Sequence, residues 1–323
     1  MVSSKVDLQR ALELSEENAQ YGNFYDAIQS HASLKSYTYG LKNFMNYLVN
    51  QKHISNNEDY LTVAGFDAGK STDLVKSFIK ILKKRVKPTS VNAYIAPLFL
   101  FFDMNRTALF KKEINKVKDK NDLEQSGHTP ITDIEIQNMI TVCNHPRDIA
   151  LILFLSSIGI RPGGLNDPIL CMKHLQYMTD PKDSTNIKYC YAVKIYDGSR
   201  QHYWGFLTPE ATKALDKYFH WRKTIKHEEI TDASPVFAAV SLISNFNNMT
   251  LFSLYHLLGK IYKKSGLVRK KQGFRYDKAL TYMYRIRFNT ILKLNNELNS
   301  NIAEKLMAHK KGLDGTYLQP TRE

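Results

Sequence analysis

Among its 323 residues the chain has three cysteines, Cys143, Cys171 and Cys190, an odd and scattered set. No Cys-x-x-Cys and no Cys/His spacing suited to a metal occurs, which argues against a zinc site or a disulfide framework and for reduced thiols inside a cell. Fifteen glycines and ten prolines give no collagen-like or low-complexity bias. The most apolar runs, Ile149 to Leu155 and Tyr94 to Phe102, fall short of the ~18 residues of a membrane span. The N-terminus lacks the apolar core of a signal peptide. Also missing are GxxxxGK[ST], GxGxxG, HExxH and GxSxG, so nucleotide-driven chemistry lacks its usual phosphate cradle. Acidic residues are the scarcer charge: 31 Asp and Glu stand against 45 Lys and Arg, a net of +14.

What is present is a chain 43% hydrophobic, long enough for two domains at about 100–200 residues each. The positive charge is concentrated. Lys260 to Lys311 holds 14 basic and 3 acidic residues, +11 of the total +14. Such a region draws nucleic acid, or is a solubilising surface.

The apolar pattern is helical nearly throughout. Residues 1–20 are polar with a weak helical pattern and read as an N-terminal segment. A helical domain over 21–112 follows. In it Tyr37, Leu41, Phe44 and Leu48 line one face of a helix that Ser33 can cap. A second helix is expected from about Thr72 to Lys84, with Lys76, Lys80, Lys83 and Lys84 outward. A third, from about Val91 to Asp103, is expected to kink or break at Pro97. The charged stretch 113–129 reads as a linker. A larger helical domain, 130–323, opens with the capping box Thr132 to Glu135 and a helix to about Cys143. Next come a buried helix from Arg147 to Ser157 and a C-cap at Gly159. Strand signals are confined to Tyr189–Tyr196 and His202–Leu207, a hairpin turning at Asp197-Gly198. Pro209 starts the next helix, and others are expected over Leu251–Lys264, Asp277–Leu294 and Ile302–His309.

The residues that carry chemistry are cationic and phenolic. Arg161 leaves the buried helix in SSIGIRPGGL, where glycines let backbone approach a ligand. Arg285 lies on a helix between Tyr284 and Phe288, with Tyr282 to one side. His309 ends IAEKLMAH, and Tyr317 follows eight residues later. Arginines give bidentate donors to phosphate oxygens, and a tyrosine can attack phosphorus as a covalent nucleophile. No metal is required if the guanidiniums neutralise the developing charge, and no cofactor is expected.

These boxes resemble the tyrosine recombinases, the phage-integrase-type family with its Xer-type and archaeal mobile-element members. HASLKSYTYGLKNFMNYL (31–48) and KPTSVNAYIAPLFLFF (87–102) resemble two helices of that family's core-binding domain. Residues 130–165 resemble the start of its catalytic domain, and LMAHKKGLDGTY (306–317) resembles its His-to-Tyr box. The resemblance implies a mainly α, two-domain clamp on duplex DNA, with a small β-hairpin sheet in the catalytic domain. It implies that Arg161 and Arg285 clamp the scissile phosphate, that His309 hydrogen-bonds it and that Tyr317 is the nucleophile. A hairpin lysine protonates the leaving oxygen; Lys194 is the only one on either strand, with Arg200 the fallback. Lys76, Lys80, Lys83, Lys84, Lys270 and Lys271 are expected on the DNA backbone.

Two positions depart from the pattern: the His of the family's H-x-x-R box is Tyr282, and the acid three residues after the first arginine is Gly164. Asp167 is the substitute acid. Only six residues follow Tyr317, so either exchange of a C-terminal helix between protomers is not implied or the chain is truncated. The resemblance further implies a homo-tetramer on paired double-stranded DNA sites, in the cytoplasm at the nucleoid. Integration or excision of an archaeal-like mobile element is the expected role. Xer-type chromosome resolution, a topoisomerase-like relaxing activity and a catalytically inactive DNA-binding relative are the alternatives.

Overall fold

A computed structural model describes residues 8–118, 129–179, 188–239, 248–272 and 275–309. They fall into two compact units, Met1–Gln125 and Ser126–Glu323.

The first unit is helical: α1 (Leu8–Glu17), α2 (Ala19–Asp26), α3 (His31–Asn50), α4 (Tyr60–Ala64), α5 (Ala68–Leu82), α6 (Pro88–Met104) and α7 (Lys111–Val117). Its core is the stripe expected of α3. Leu41, Phe44, Met45 and Leu48 are fully buried, each worth about 1.5–3 kcal/mol over exposure. They pack with Phe78 and Ile79 of α5 and with Leu98 and Phe102 of α6. Ser30, not Ser33, caps α3, its hydroxyl accepting from the Ser33 N–H at 3.1 Å. Asp67 likewise starts α5 four residues before the expected start. α6 runs unbroken through Pro97. Gly40 of α3 lies directly against it: a Cβ there would stand 2.5 Å from Pro97 Cγ. The polar N-terminal segment is not apart from this unit, since Ala11 and Leu14 of α1 join its core. The stretch read as a linker from residue 113 instead begins inside α7, because Ile114 is fully buried.

The second unit starts with α8 (Asp133–Thr141), whose capping box forms as expected: Glu135 N–H donates to Thr132 Oγ1 and Thr132 N–H to Glu135 Oε2. Next are α9 (Pro146–Ile158) and a three-stranded antiparallel sheet in the order β1 (Leu175–Thr179), β2 (Lys188–Ile195), β3 (Tyr203–Phe206). α10 (Pro209–Thr224), α11 (Leu251–Lys264), the short ribbon β4 (Lys271–Gln272) and β5 (Arg275–Tyr276), α12 (Tyr282–Leu294) and α13 (Ser300–Leu306) complete it. Val193 and Ile195 of β2 point into the core with Phe154, Leu155 and Ile158 of α9. β1 and the β4–β5 ribbon lie outside the segments with strand signals in the sequence. The hairpin is also looser than Asp197-Gly198 suggests. Ile195 pairs with Tyr203, leaving 196–202 as the connection, with positive φ at Tyr196 and Gly198. α12 begins at Tyr282 instead of Asp277, whose carboxylate accepts from the N–H groups of Lys270 and Lys278 and so closes the preceding ribbon. No helix among the described residues is long and apolar enough to cross a membrane.

Candidate functional site

Gly159 ends α9 in the left-handed region, with φ 59°. A Cβ there would be strained and would lie 2.6 Å from Phe288 Cβ. α12 therefore crosses closely over the exit of α9, and this crossing assembles the site. The Gly159 carbonyl accepts from Arg285 Nη1 at 2.9 Å. Two residues on, Arg161 precedes a tight turn over Pro162–Leu165.

Arg285 is only 3% exposed. Its Nη2 donates to the Met307 carbonyl at 2.5 Å and lies 3.2 Å from His309 Nε2. Burial, and then the nearby Arg161 charge, push the Arg285 guanidinium below its ordinary range. Among the described residues no carboxylate pairs with either arginine, and the Arg161 guanidinium donates no hydrogen bond.

His309 is oriented from behind. Its Nδ1 is 2.7 Å from Glu304 Oε2, and Lys293 Nζ takes Glu304 Oε1 at 3.0 Å. An arginine N–H can only donate, so His309 Nε2 accepts and its proton sits on Nδ1, toward Glu304. Tyr282 opens α12, three residues before Arg285 and close enough to act on its charge, yet 44% exposed.

Two further tyrosines reach the pair, one from the β2–β3 connection and one from β3. Tyr196 has φ 57°, a conformation costing a non-glycine residue about 1–3 kcal/mol and concentrated at functional sites. Its hydroxyl is 3.5 Å from where a Gly163 Cβ would stand. Burial raises its pKa, against the opposing pull of Arg161 and Arg285. Tyr203 lies against Arg285. No residue spacing marked Tyr196, Tyr203 or Glu304 in the sequence; strand register and the α13 turn bring them in.

The remaining expected residues are placed less uniformly. Lys194 projects from β2, but its Nζ is 2.6 Å from Asp197 Oδ1, and His174 Nε2 lies 3.5 Å from the other Asp197 oxygen. The Lys194 hydrogen bond holds Asp197 below the usual carboxylate range. Asp167 makes no ion pair with Arg161. Gly164 has no room for an acid, since a Cβ there would lie within 2.9 Å of Ile160 and Ile195 side-chain atoms. Lys80, Lys84, Lys270 and Lys271 are exposed and Lys83 is half-buried. Lys76 is engaged at 3.0 Å by both Asp73 and Glu113. Tyr317 lies outside the described residues.

No family profile and no curated protein sequence matches the chain. Its similarity is to solved structures. The XerH site-specific recombinase on palindromic difH substrate, a post-cleavage complex, aligns at TM-score 0.57 and 13% identity over 93% of this chain and 76% of that one. A lambda integrase (75-356) dimer bound to a COC' core site aligns at 0.56 and 11% over 94% and 93%. The XerH pre-cleavage complex with difH aligns at 0.52 and 15% over 76% of this chain, which spans 65% of the length of that one. The chain has the fold of the tyrosine recombinases.

Proposed function

We propose that this chain is a site-specific DNA recombinase that cuts and rejoins strands through a 3'-phosphotyrosyl link. The observation that carries this reading is the arginine pair: two guanidiniums side by side, one of them 3% exposed, with no carboxylate among the described residues to neutralise them. Buried charges are ordinarily paired, so a site of this kind suits an anion that arrives with the substrate. A phosphodiester matches the fork geometry of arginine.

In this reading Tyr317 forms a bond to phosphorus while the bond to the 5'-oxygen breaks. Arg161 and Arg285 hold the non-bridging oxygens as charge builds on them. His309 hydrogen-bonds the same phosphate, with Glu304 setting its orientation, which requires Nε2 to gain a proton and leave Arg285. Lys194 gives a proton to the departing 5'-oxygen, which requires it to leave Asp197. A partner strand's 5'-hydroxyl then reverses the step, so no external energy source enters. The exposed lysines Lys80, Lys84, Lys270 and Lys271 serve the DNA backbone, and a homo-tetramer on two duplexes carries out exchange. Integration or excision of a mobile element is the biological role we favour.

Covalent trapping tests this. Wild type and Tyr317→Phe are incubated with nicked duplexes drawn from genomic or element-end DNA, then denatured. A protein–DNA adduct in wild type alone is the expected result. An adduct that persists in Tyr317→Phe moves the nucleophile elsewhere. Binding to a cognate site with no adduct in wild type overturns strand cleavage and leaves a DNA-binding protein.

A further inference from the structure

Tyr203 opens β3 opposite Ile195 and is 8% exposed. Its hydroxyl is buried; the Arg285 guanidinium reaches it but can only donate to it, and no described residue accepts the hydroxyl's own proton. Buried phenols are normally satisfied, because an orphaned polar group forfeits its hydration with nothing in return. Other buried tyrosine hydroxyls of this unit obey the rule. Tyr191 donates to Asp216 at 2.7 Å, and Tyr284 donates to Met139 Sδ at 3.5 Å. The charged groups that act on the Tyr203 hydroxyl are Arg285 and, more weakly, Arg161. The Tyr196 ring stands 6.3 Å away. Guanidiniums offer no acceptor. An oxygen anion held by the two arginines would supply one.

We infer that Tyr203 is a third ligand of the anion: its hydroxyl donates a hydrogen bond to a non-bridging oxygen of the phosphate that Arg161 and Arg285 bind. This rests on reading the arginine pair as a phosphate site. The hydroxyl stays a donor near neutral pH, since burial pushes it up to about 12 even against the pull of Arg285. The donor is rigid. Its ring belongs to the core cluster, and β3 is fixed against β2 by register. Tyr282 differs on this point, being 44% exposed in the first turn of α12.

Tyr203→Phe removes the hydroxyl and keeps the ring. Full-length wild type, Tyr203→Phe and Arg161→Ala are titrated calorimetrically with inorganic phosphate, and their thermal midpoints are compared. Tyr203→Phe is expected to weaken phosphate about tenfold, the usual worth of a hydrogen bond to a charged group. It should leave the midpoint nearly unchanged, because no hydrogen bond donated by that hydroxyl is lost. Where wild type forms a covalent DNA adduct, the rate of adduct formation should fall about 10²-fold, as for loss of one donor to a developing oxyanion. Phosphate affinity within twofold of wild type overturns the inference, as does a wild type that binds no phosphate. Weakened phosphate with no adduct in any protein keeps Tyr203 as a ligand and removes strand cleavage. Adducts at equal rates in wild type and Tyr203→Phe, with equal phosphate affinity, remove Tyr203 and keep strand cleavage.

Discussion

Near the end of α10, Arg222 is fully buried and fully answered. Glu228 takes its guanidinium through both carboxylate oxygens, Nε at 2.7 Å from Oε2, and Nη1 donates to the carbonyl of Pro235 at 2.8 Å. On α12, Arg285 is almost as buried and is answered by two carbonyls, the His309 imidazole and the Tyr203 hydroxyl, with no carboxylate, beside a second arginine. The same unit also places Glu135 on Lys278 and Asp133 on Arg287, both within the first turn of α8. Carboxylates are thus supplied to the cations around Arg285 and withheld from Arg285 itself. A cation that holds the fold carries its counter-ion in the sequence; a cation that binds an anion leaves that place open.

Exchanging each arginine for methionine should separate these roles most widely. Arg222→Met strands Glu228, 6% exposed, as an unpaired buried charge. It should cost about 3–5 kcal/mol by chemical denaturation. Arg285→Met loses two bonds to carbonyls but relieves repulsion with Arg161. It should cost no more than about 1–2 kcal/mol, while phosphate binding and adduct formation are lost. Equal destabilisation by the two substitutions would erase the distinction.

Much of this contrast was legible in the residues. SSIGIRPGGL marks a glycine-capped helix exit with an arginine beside it, and the Thr132–Glu135 box marks the start of α8; both are local patterns, and both are built as read. What the sequence left hidden depends on register and on contacts far along the chain. β1 pairs Tyr177 with Tyr191, yet LQYMT shows no clean alternation in burial. Tyr196 and Tyr203 look like ordinary strand aromatics until a seven-residue connection and a left-handed Tyr196 turn them to the arginines. Glu304 sits five residues before His309, a spacing that matters only because α13 ends at Leu306 and Ala308 adopts φ 52°. The lysine face expected on α5 is likewise thinner than its sequence, since Lys76 is neutralised by Asp73 and by Glu113 of α7.

Lys194 is the intermediate case, a half-exposed cation on β2 whose counter-ion Asp197 lies three residues on, in the connection to β3. If it is the proton donor, Lys194→Ala should slow adduct formation about 10²-fold or more. Asp197→Asn, which frees the ammonium, should speed adduct formation a few-fold at neutral pH. Single-turnover rates for both, with Arg200→Ala alongside, decide the matter. Loss confined to Arg200→Ala would move the acid to the connecting loop and make Lys194 another structurally paired cation.

The smallest effect tests the paired side of the comparison. Burial alone would raise the Glu135 carboxyl, but Lys278 and the Thr132 backbone and hydroxyl override it and hold the group below its ordinary range. A folded pKa below the unfolded value of about 4.3 means that this pair's stabilisation is fully present above that pH. It is lost as the pH falls through the folded value. The pair is partly solvated, so its size should be about 1 kcal/mol or less. Denaturation of wild type and Glu135→Gln should therefore differ by that amount near neutrality and converge as the pH falls through the folded value. Arg285→Met should show no such convergence, because its cation has no carboxylate among the described residues to titrate. A gap between wild type and Glu135→Gln that stays constant into acid would mean that Glu135 acts through the capping hydrogen bond to Thr132 and not through its charge on Lys278.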